Sequence, residues 1–261
     1  MSGYLDIAIR AAKEAGAFLS ERIGKHLTIE KKGQVNLVTD ADRDSEKLIK
    51  EIILARYPQH SFKAEEGTES AKRSRYLWLV DPLDGTTNYA HGFPVYCVSI
   101  ALLKDDELIV ACIHNPNLDE CFAAEKGKGA FLNGLPIMPS STEKLDDALL
   151  ATGFPYDIRE SSENNLKEFA AFAVVARAIR RAGSAALDLA YTACGRFDGY
   201  WEFKLSPWDV AAGILIVNEA GGKVTNWSGR KCDIFKGEVL ASNGKIHDKM
   251  LGVLEKVRSQ D

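Results

Sequence analysis

The sequence predicts a mixed α/β protein, and three stretches carry that prediction. Residues 4–19 place apolar side chains at positions 5, 8, 9, 12, 15 and 19, the stripe of an amphipathic helix. Residues 76–80 are a short apolar run with a β-branched end, which reads as a buried strand. Residues 95–103 and 107–114 read as two further strands, joined by a hairpin turn at Lys104-Asp105-Asp106. At 261 residues the chain has room for one large domain or two tightly joined halves, with a soft boundary near residues 140–145.

Hydrophobic residues make up 46% of the chain, ample for a sizeable core. The 33 basic and 37 acidic residues leave a net charge of −4, so no global basic field invites nucleic acid. The start of the chain carries Asp6 and Arg10 inside its helical period, unlike a secretory signal. The longest apolar runs, residues 169–176 and 210–217, fall far short of the roughly 20 residues that cross a bilayer. Cys97, Cys112, Cys121, Cys194 and Cys232 are odd in number and include no C-x-x-C pair. They read as reduced core residues of a cytoplasmic protein, in which the sequon Asn226-Trp227-Ser228 carries no meaning.

Taken in order, Gly24 ends the first helix. Lys31-Lys32-Gly33-Gln34 then makes a basic, flexible tip, a solvated loop or an arm for a phosphate. Thr39-Asp40-Ala41-Asp42-Arg43-Asp44-Ser45-Glu46 imitates a calcium loop, but Ser45 stands where that loop requires glycine. Leu48, Ile49, Ile52, Ile53 and Tyr57 make the region a helix instead, with Thr39-x-x-Asp42 as its capping box. Asp42 stays a candidate, because a first-turn carboxylate can also face a nearby site. Residues 61–64 are a short extended piece leading to Glu65-Glu66-Gly67.

The central stretch is Trp78-Leu79-Val80-Asp81-Pro82-Leu83-Asp84-Gly85-Thr86-Thr87-Asn88. Asp81 and Asp84, three apart at a strand end, suit a hard divalent cation, which prefers oxygen ligands. The amides of Gly85, Thr86 and Thr87 suit a phosphate oxygen, particularly if Thr86 opens a helix. A Pro-Asp-Gly type of turn accounts for the same residues without a metal.

Further on, Gly127-Lys128-Gly129 lacks the spacing of a nucleotide-binding loop and reads as a turn. Residues 121–124 and 147–153 read as strands. Residues 166–181 read as a helix whose last turn carries Arg177, Arg180 and Arg181 as partners of its dipole, with a ligand role as the lesser reading. Gly183-Ser184-Ala185-Ala186 opens a helix over 185–194, its small residues permitting close approach of a packed helix or of a ligand. A strand over 198–203 contains Glu202. Ser206 caps the helix over 210–220, with Pro207 at its first position and Asp209 as a capping-box acid. Residues 246–257 form a terminal helix.

Glu65-Glu66, Asp81-Pro82-Leu83-Asp84-Gly85-Thr86-Thr87-Asn88, Gly183-Ser184-Ala185-Ala186, Trp208-Asp209 and Glu219-Ala220-Gly221-Gly222 together resemble the inositol monophosphatase family, in order and nearly end to end. The resemblance implies one domain over residues 1–261 with a layered αβαβα sandwich, a metal-site half before the soft boundary and a substrate half after it. It also implies a homodimer, Mg²⁺ dependence with two to three ions, and inhibition by Li⁺. By position, Glu65, Asp81 and the Leu83 carbonyl hold one Mg²⁺, and Asp81, Asp84 and Asp209 a second. Glu65 shares a third. Thr86 and Asp42 orient the nucleophilic water, and the Gly85 and Thr86 amides take phosphate oxygens. Asp84, Gly183, Ser184, Ala185, Glu202 and Asp209 line the pocket for the sugar alcohol, and Lys31 matches a loop lysine. Ser184 stands where some relatives carry threonine, which bears on polyol preference.

The activity so implied is hydrolysis of myo-inositol monophosphate and related small esters by water, without a phosphoenzyme. Fructose-1,6-bisphosphatase and 3′-phosphoadenosine-5′-phosphate phosphatase activities on the same metal core are alternatives. An aspartyl-phosphate phosphatase of the haloacid dehalogenase type is disfavoured, because its two aspartates are one residue apart and here Pro82 and Leu83 intervene. A regulatory protein bound to RNA polymerase or RNA-processing machinery is the alternative of another class, hinted at only by the basic cluster at Arg177, Arg180 and Arg181. His26, His60, His91, His114 and His247 show no zinc spacing.

Overall fold

The computed structural model describes residues 3–24, 29–31, 37–69 and 74–259, with the side chains of 29–31 and 37–39 excepted. Helix α1 (Gly3–Arg22) buries Leu5, Ala8, Ala12, Ala15 and Leu19 along the expected stripe. Strands β1 (Ile29–Lys31) and β2 (Leu37–Thr39) pair antiparallel. The tip at Lys32-Gly33-Gln34 and the side chain of Lys31 lie outside the described residues. Helix α2 (Asp40–Arg56) follows directly and buries Ile49 and Ile53.

Seven strands form the first sheet: β3 (Ser61–Ala64), β4 (Tyr76–Asp84), β5 (Cys97–Lys104), β6 (Glu107–Asn115), β7 (Glu120–Glu125), β8 (Ala130–Leu132) and β9 (Leu135–Pro136). They lie side by side in chain order. Only β3 and β4 are parallel. The β5–β6 hairpin turns on Asp105 and Asp106 at φ 51 and 64. Two successive left-handed residues match the twist of the strands, and Asp tolerates that conformation. A short helix, α3 (Thr86–Ala90), separates β4 from β5.

The second sheet is built from β10 (Leu149–Thr152), β11 (Ala178–Arg180), β12 (Gly199–Glu202), β13 (Lys223–Thr225) and β14 (Val239–Ser242). Its spatial order is β11-β10-β12-β14-β13. Four helices accompany it: α4 (Leu166–Ala173), α5 (Ala185–Ala193), α6 (Pro207–Glu219) and α7 (His247–Arg258). Helices α1 and α2 cover the outer face of the first sheet, α5 and α6 fill the space between the sheets, and α4 and α7 cover the outer face of the second. The molecule is therefore an αβαβα sandwich with three apolar clusters, one under each outer helix layer and one around α5 and α6 between the sheets.

The inner layer explains the composition of α6. Val210, Ala211, Ala212, Gly213, Ile214, Leu215, Ile216 and Val217 are all buried. A helix that is apolar all round can only sit inside. A Cβ on Gly213 would stand 2.5 Å from the Leu189 side chain, so glycine sets how closely α6 approaches α5.

The helix expected over 166–181 is shorter, and this corrects the reading of its arginines. It stops at Ala173, and Ala178–Arg180 leave as β11, pairing parallel with Leu149, Leu150 and Ala151 of β10. The β-branched Val174 and Val175 weaken the helix locally, and strand pairing with a distant partner overrides what propensity remains. Arg177 pairs with Asp147 instead of a helix end.

Candidate active site

The parallel pair β3–β4 brings the first two acids together. Ala64 is in register with Val80, and the Glu65 amide donates to the Val80 carbonyl at 3.3 Å, so Glu65 emerges beside Asp81. Strand β4 does not end at Asp81, as the sequence suggested, but runs on to Asp84. Asp81 pairs with Ser99 and Asp84 with Cys97, so one extra residue is accommodated on β4. In a regular strand, residues three apart point to opposite faces. The bulge at Pro82-Leu83 cancels that alternation, and both aspartates line one cavity. The Leu83 amide donates to Asp81 Oδ1 at 2.9 Å and holds the kink.

Helix α2 braces this end of the sheet from outside. Ser45 Oγ donates to the Pro82 carbonyl at 2.9 Å. Glu46, only 3% exposed, accepts the amides of Glu66 at 2.8 Å and Thr68 at 3.2 Å. It thereby fixes the turn that carries Glu65. Thr86 Oγ1 lies 2.9 Å from Asp42 Oδ1 and 3.1 Å from the Leu83 carbonyl, so Asp42 reaches the site through Thr86.

The fourth acid arrives from the opposite side. Ser99, the partner of Asp81, donates through Oγ to the Trp208 carbonyl at 3.3 Å and seats the start of α6 over β4 and β5. Asp209 accepts the Ser206 amide at 2.7 Å, as a capping-box acid does. It also faces the cavity. Carboxylate oxygens of Glu65, Asp81 and Asp209 all lie within 4.8 Å of one another.

Asp84 stands outside this trio. Its Oδ2 accepts Ser184 Oγ and the Ala186 amide, both at 2.7 Å, at the N-terminus of α5. The Asn88 amide group donates to the Val95 carbonyl at 2.7 Å and to the Ala182 carbonyl at 2.9 Å, tying α3 to the segment before α5. Ser184 is the N-cap of α5. Glu202, at the end of β12, accepts the Tyr200 hydroxyl at 2.7 Å. Gly153 is required beside it, since a Cβ there would lie 2.1 Å from a Glu202 oxygen.

Glu65, Asp81, Leu83, Asp84, Gly85, Thr86, Gly183, Ser184, Ala185, Glu202 and Asp209 thus share one cavity of about 160 Å³, and of the expected set only Asp42 lies behind its wall. Burial, then the charges of Glu65, Asp84 and Asp209, push the Asp81 carboxyl well above its ordinary range. Burial followed by Glu65 does the same to Asp209. Glu202 is raised to about 7 by burial. Such mutually repelling carboxyls need protons or a cation between them. The trio offers oxygen donors alone, so these residues fit a hard divalent cation better than zinc or copper.

Sequence reasoning missed several residues of this site. Arg181 lines the cavity, as do Tyr156, Lys204 and Asp188. Asp188 had a legible signal, being the single acid in the otherwise apolar run Ala185-Ala186-Leu187-Asp188-Leu189-Ala190. Glu46 and Ser45 had none beyond their place in a helix start.

Comparison with known proteins agrees with this geometry. Residues 1–259 match the model of the inositol monophosphatase family. An inositol-1-monophosphatase of Synechocystis sp. is 47% identical over 95% of this chain and 87% of its own length. The Nus factor SuhB of Pseudomonas aeruginosa is 40% identical over 98% of this chain and 97% of its own. The solved structure of inositol monophosphatase from Anabaena (Nostoc) sp. superimposes with a TM-score of 0.89 at 46% identity, covering 97% of this chain and 95% of that one. With the whole chain matched and its acids gathered at one sandwich edge, this chain belongs to the inositol monophosphatase family and is a phosphatase.

Proposed function

We propose that the protein hydrolyses myo-inositol monophosphate and related small phosphate monoesters by direct attack of water, using Mg²⁺ held by Glu65, Asp81, the Leu83 carbonyl, Asp84 and Asp209. The observation that carries this reading is the set of carboxylate oxygens of Glu65, Asp81 and Asp209 within 4.8 Å of one another in a buried pocket. Two Mg²⁺ held by these residues, with a third more weakly through Glu65, would supply charge neutralisation for the phosphoryl group and lower the pKa of bound water.

The chain's own side chains do the rest. Thr86 has one hydroxyl proton and gives it to Asp42, which leaves its oxygen free to accept from the attacking water and orient it. Proton drift towards Asp42 follows the same line. The Gly85 and Thr86 amides receive phosphate oxygens. Gly85 has φ 102, and a Cβ there would meet the Val95 carbonyl at 2.8 Å, so glycine lets this turn lie against the chain ahead of β5. Asp81, 2% exposed and fixed by the Leu83 amide, is a poor nucleophile, which supports attack by water over a phosphoenzyme. Asp84, Gly183, Ser184, Ala185, Glu202 and Asp209 line the same cavity, which supports assigning them to the alcohol part of the ester. The reading includes Li⁺ inhibition, a homodimer and a cytoplasmic location, the last supported by five free cysteines.

A second reading has one observation in its favour, the similarity to a protein named Nus factor SuhB. In that reading the chain also serves as a regulatory binding partner in transcription.

Phosphate release from inositol 1-phosphate, fructose 1,6-bisphosphate and 3′-phosphoadenosine 5′-phosphate, each with Mg²⁺, EDTA or added Li⁺, tests the first. Fast, Mg²⁺-dependent and Li⁺-sensitive release from inositol 1-phosphate is expected. Preference for another of the three, or turnover in EDTA, would overturn it. Asp84→Asn is expected to lose at least about 100-fold in kcat. A cellular phenotype that survives this substitution would favour the regulatory reading.

A further inference from the structure

Helix α5 carries one acidic side chain that nothing above uses. Asp188 is 1% exposed and lines the cavity, yet its Oδ1 has no hydrogen-bond partner among the described residues. Its backbone carbonyl is occupied, accepting Thr192 Oγ1 at 2.8 Å. Four positions separate Asp188 from the N-cap Ser184, so the two share a helix face, with Asp188 about 6 Å farther along the axis. Ser184 touches Asp84. Asp188 therefore sits one turn beyond the acid cluster, on the side where Glu202 and Arg181 also line the wall.

A buried acceptor without a donor is costly, because its lost hydration is not replaced. Among the described residues nothing donates to Asp188 Oδ1, although its α5 neighbours Leu187, Leu189 and Thr192 are buried. Beside it, Glu202 has one oxygen already committed to Tyr200. Two carboxyl groups facing one small space offer acceptor oxygens to hydroxyl protons. A polyhydroxylated alcohol supplies such donors, and an aryl or plain alkyl alcohol does not.

We propose that Asp188 is a specificity-determining residue, accepting a hydrogen bond from a free hydroxyl of the substrate's alcohol part and so favouring polyol esters over unadorned ones. This rests on the phosphatase reading above and deepens it. A site built to bond a substrate hydroxyl discriminates against analogues that lack one, because the protein group is then left unpaired.

The test compares kcat/KM for inositol 1-phosphate and p-nitrophenyl phosphate with the full chain in Mg²⁺. In Asp188→Ala the ratio of the two is expected to fall at least tenfold, chiefly through KM for the inositol ester. Asp188→Asn, which keeps an acceptor oxygen, is expected to fall between Ala and the parent. A ratio within threefold of the parent in the alanine variant overturns the proposal. Should the alanine variant fail to fold, the asparagine variant decides alone: a loss of threefold or more supports, and an unchanged ratio overturns. Failure of both to fold assigns Asp188 to the scaffold and overturns it too. If the parent hydrolyses p-nitrophenyl phosphate but not inositol 1-phosphate, the substrate reading falls and this inference with it. If it hydrolyses both and the ratio survives substitution, this inference falls alone.

Discussion

Thr86 Oγ1 and Asp42 Oδ1 meet at 2.9 Å, joining the loop after Asp84 to the first turn of α2 across 44 positions of sequence. A hydroxyl anchored in this way has its remaining lone pairs directed by the anchor. Asp42→Asn can return a donor to Thr86 and reverse the bond. Its kcat is expected to fall about 10²- to 10⁴-fold, the range for a lost proton-transfer partner, while KM stays within threefold. Steady-state phosphate release reads both, and an unchanged kcat would remove Asp42 from the reaction.

Asp209 caps α6 and also faces the acid cluster, and substitution separates the cap from the proposed metal role. Asparagine still accepts the Ser206 amide, so Asp209→Asn is expected to keep stability within about 1 kcal/mol. Activity and Mg²⁺ response are lost nonetheless. Asp209→Ala loses the cap as well, costing a further 0.5–2 kcal/mol or so. Urea midpoints alongside Mg²⁺ titrations distinguish the two variants. Equal destabilisation in both would contradict the division.

Glu46 never touches the cavity but holds the turn that bears Glu65. Glu46→Ala leaves two amides without their acceptor and is expected to cost on the order of 1–3 kcal/mol. The concentration of Mg²⁺ needed for half-maximal activity should rise several-fold, because Glu65 is no longer held in place. A variant with normal metal dependence would show that the turn is rigid without this brace.

The pH response follows from the direction of the carboxyl shifts. In the metal-free protein Asp81 and Asp209 bind protons more tightly than in the unfolded chain, so their folded-state stability is complete at low pH. It is lost as pH rises above the unfolded value near 4. Glu202 adds its own loss between that value and about 7. Mg²⁺ held by these acids, as proposed, would replace the missing protons. The gain in thermal midpoint on adding Mg²⁺ to EDTA-treated protein should therefore widen from pH 5 to pH 8. A gain that shrinks with pH would count against a buried cation among these acids.

Much of the site was readable because its residues announce themselves in local chemistry. An acid pair around a proline, a glycine followed by threonines and a Ser-Pro-Trp-Asp helix start each have a recognisable reason to sit at an element's end. The residues that escaped have reasons defined only in three dimensions. Ala178, Ile179 and Arg180 look helical until the edge of β10 claims them. Glu46 reads as a helix acid until the turn after β3 folds against it. The Asp81–Asp84 spacing looked like a turn, because a bulge is visible only as a shift in pairing with β5.

The Asn88 side chain reaches from the first sheet's loop to the Ala182 carbonyl ahead of α5, and Asp84 is clasped by the start of that same helix. The candidate site is thus a seam stitched from both sheets of the sandwich. Mild heat or dilute urea that lets the halves slide should silence turnover while circular dichroism still reports intact helices and strands.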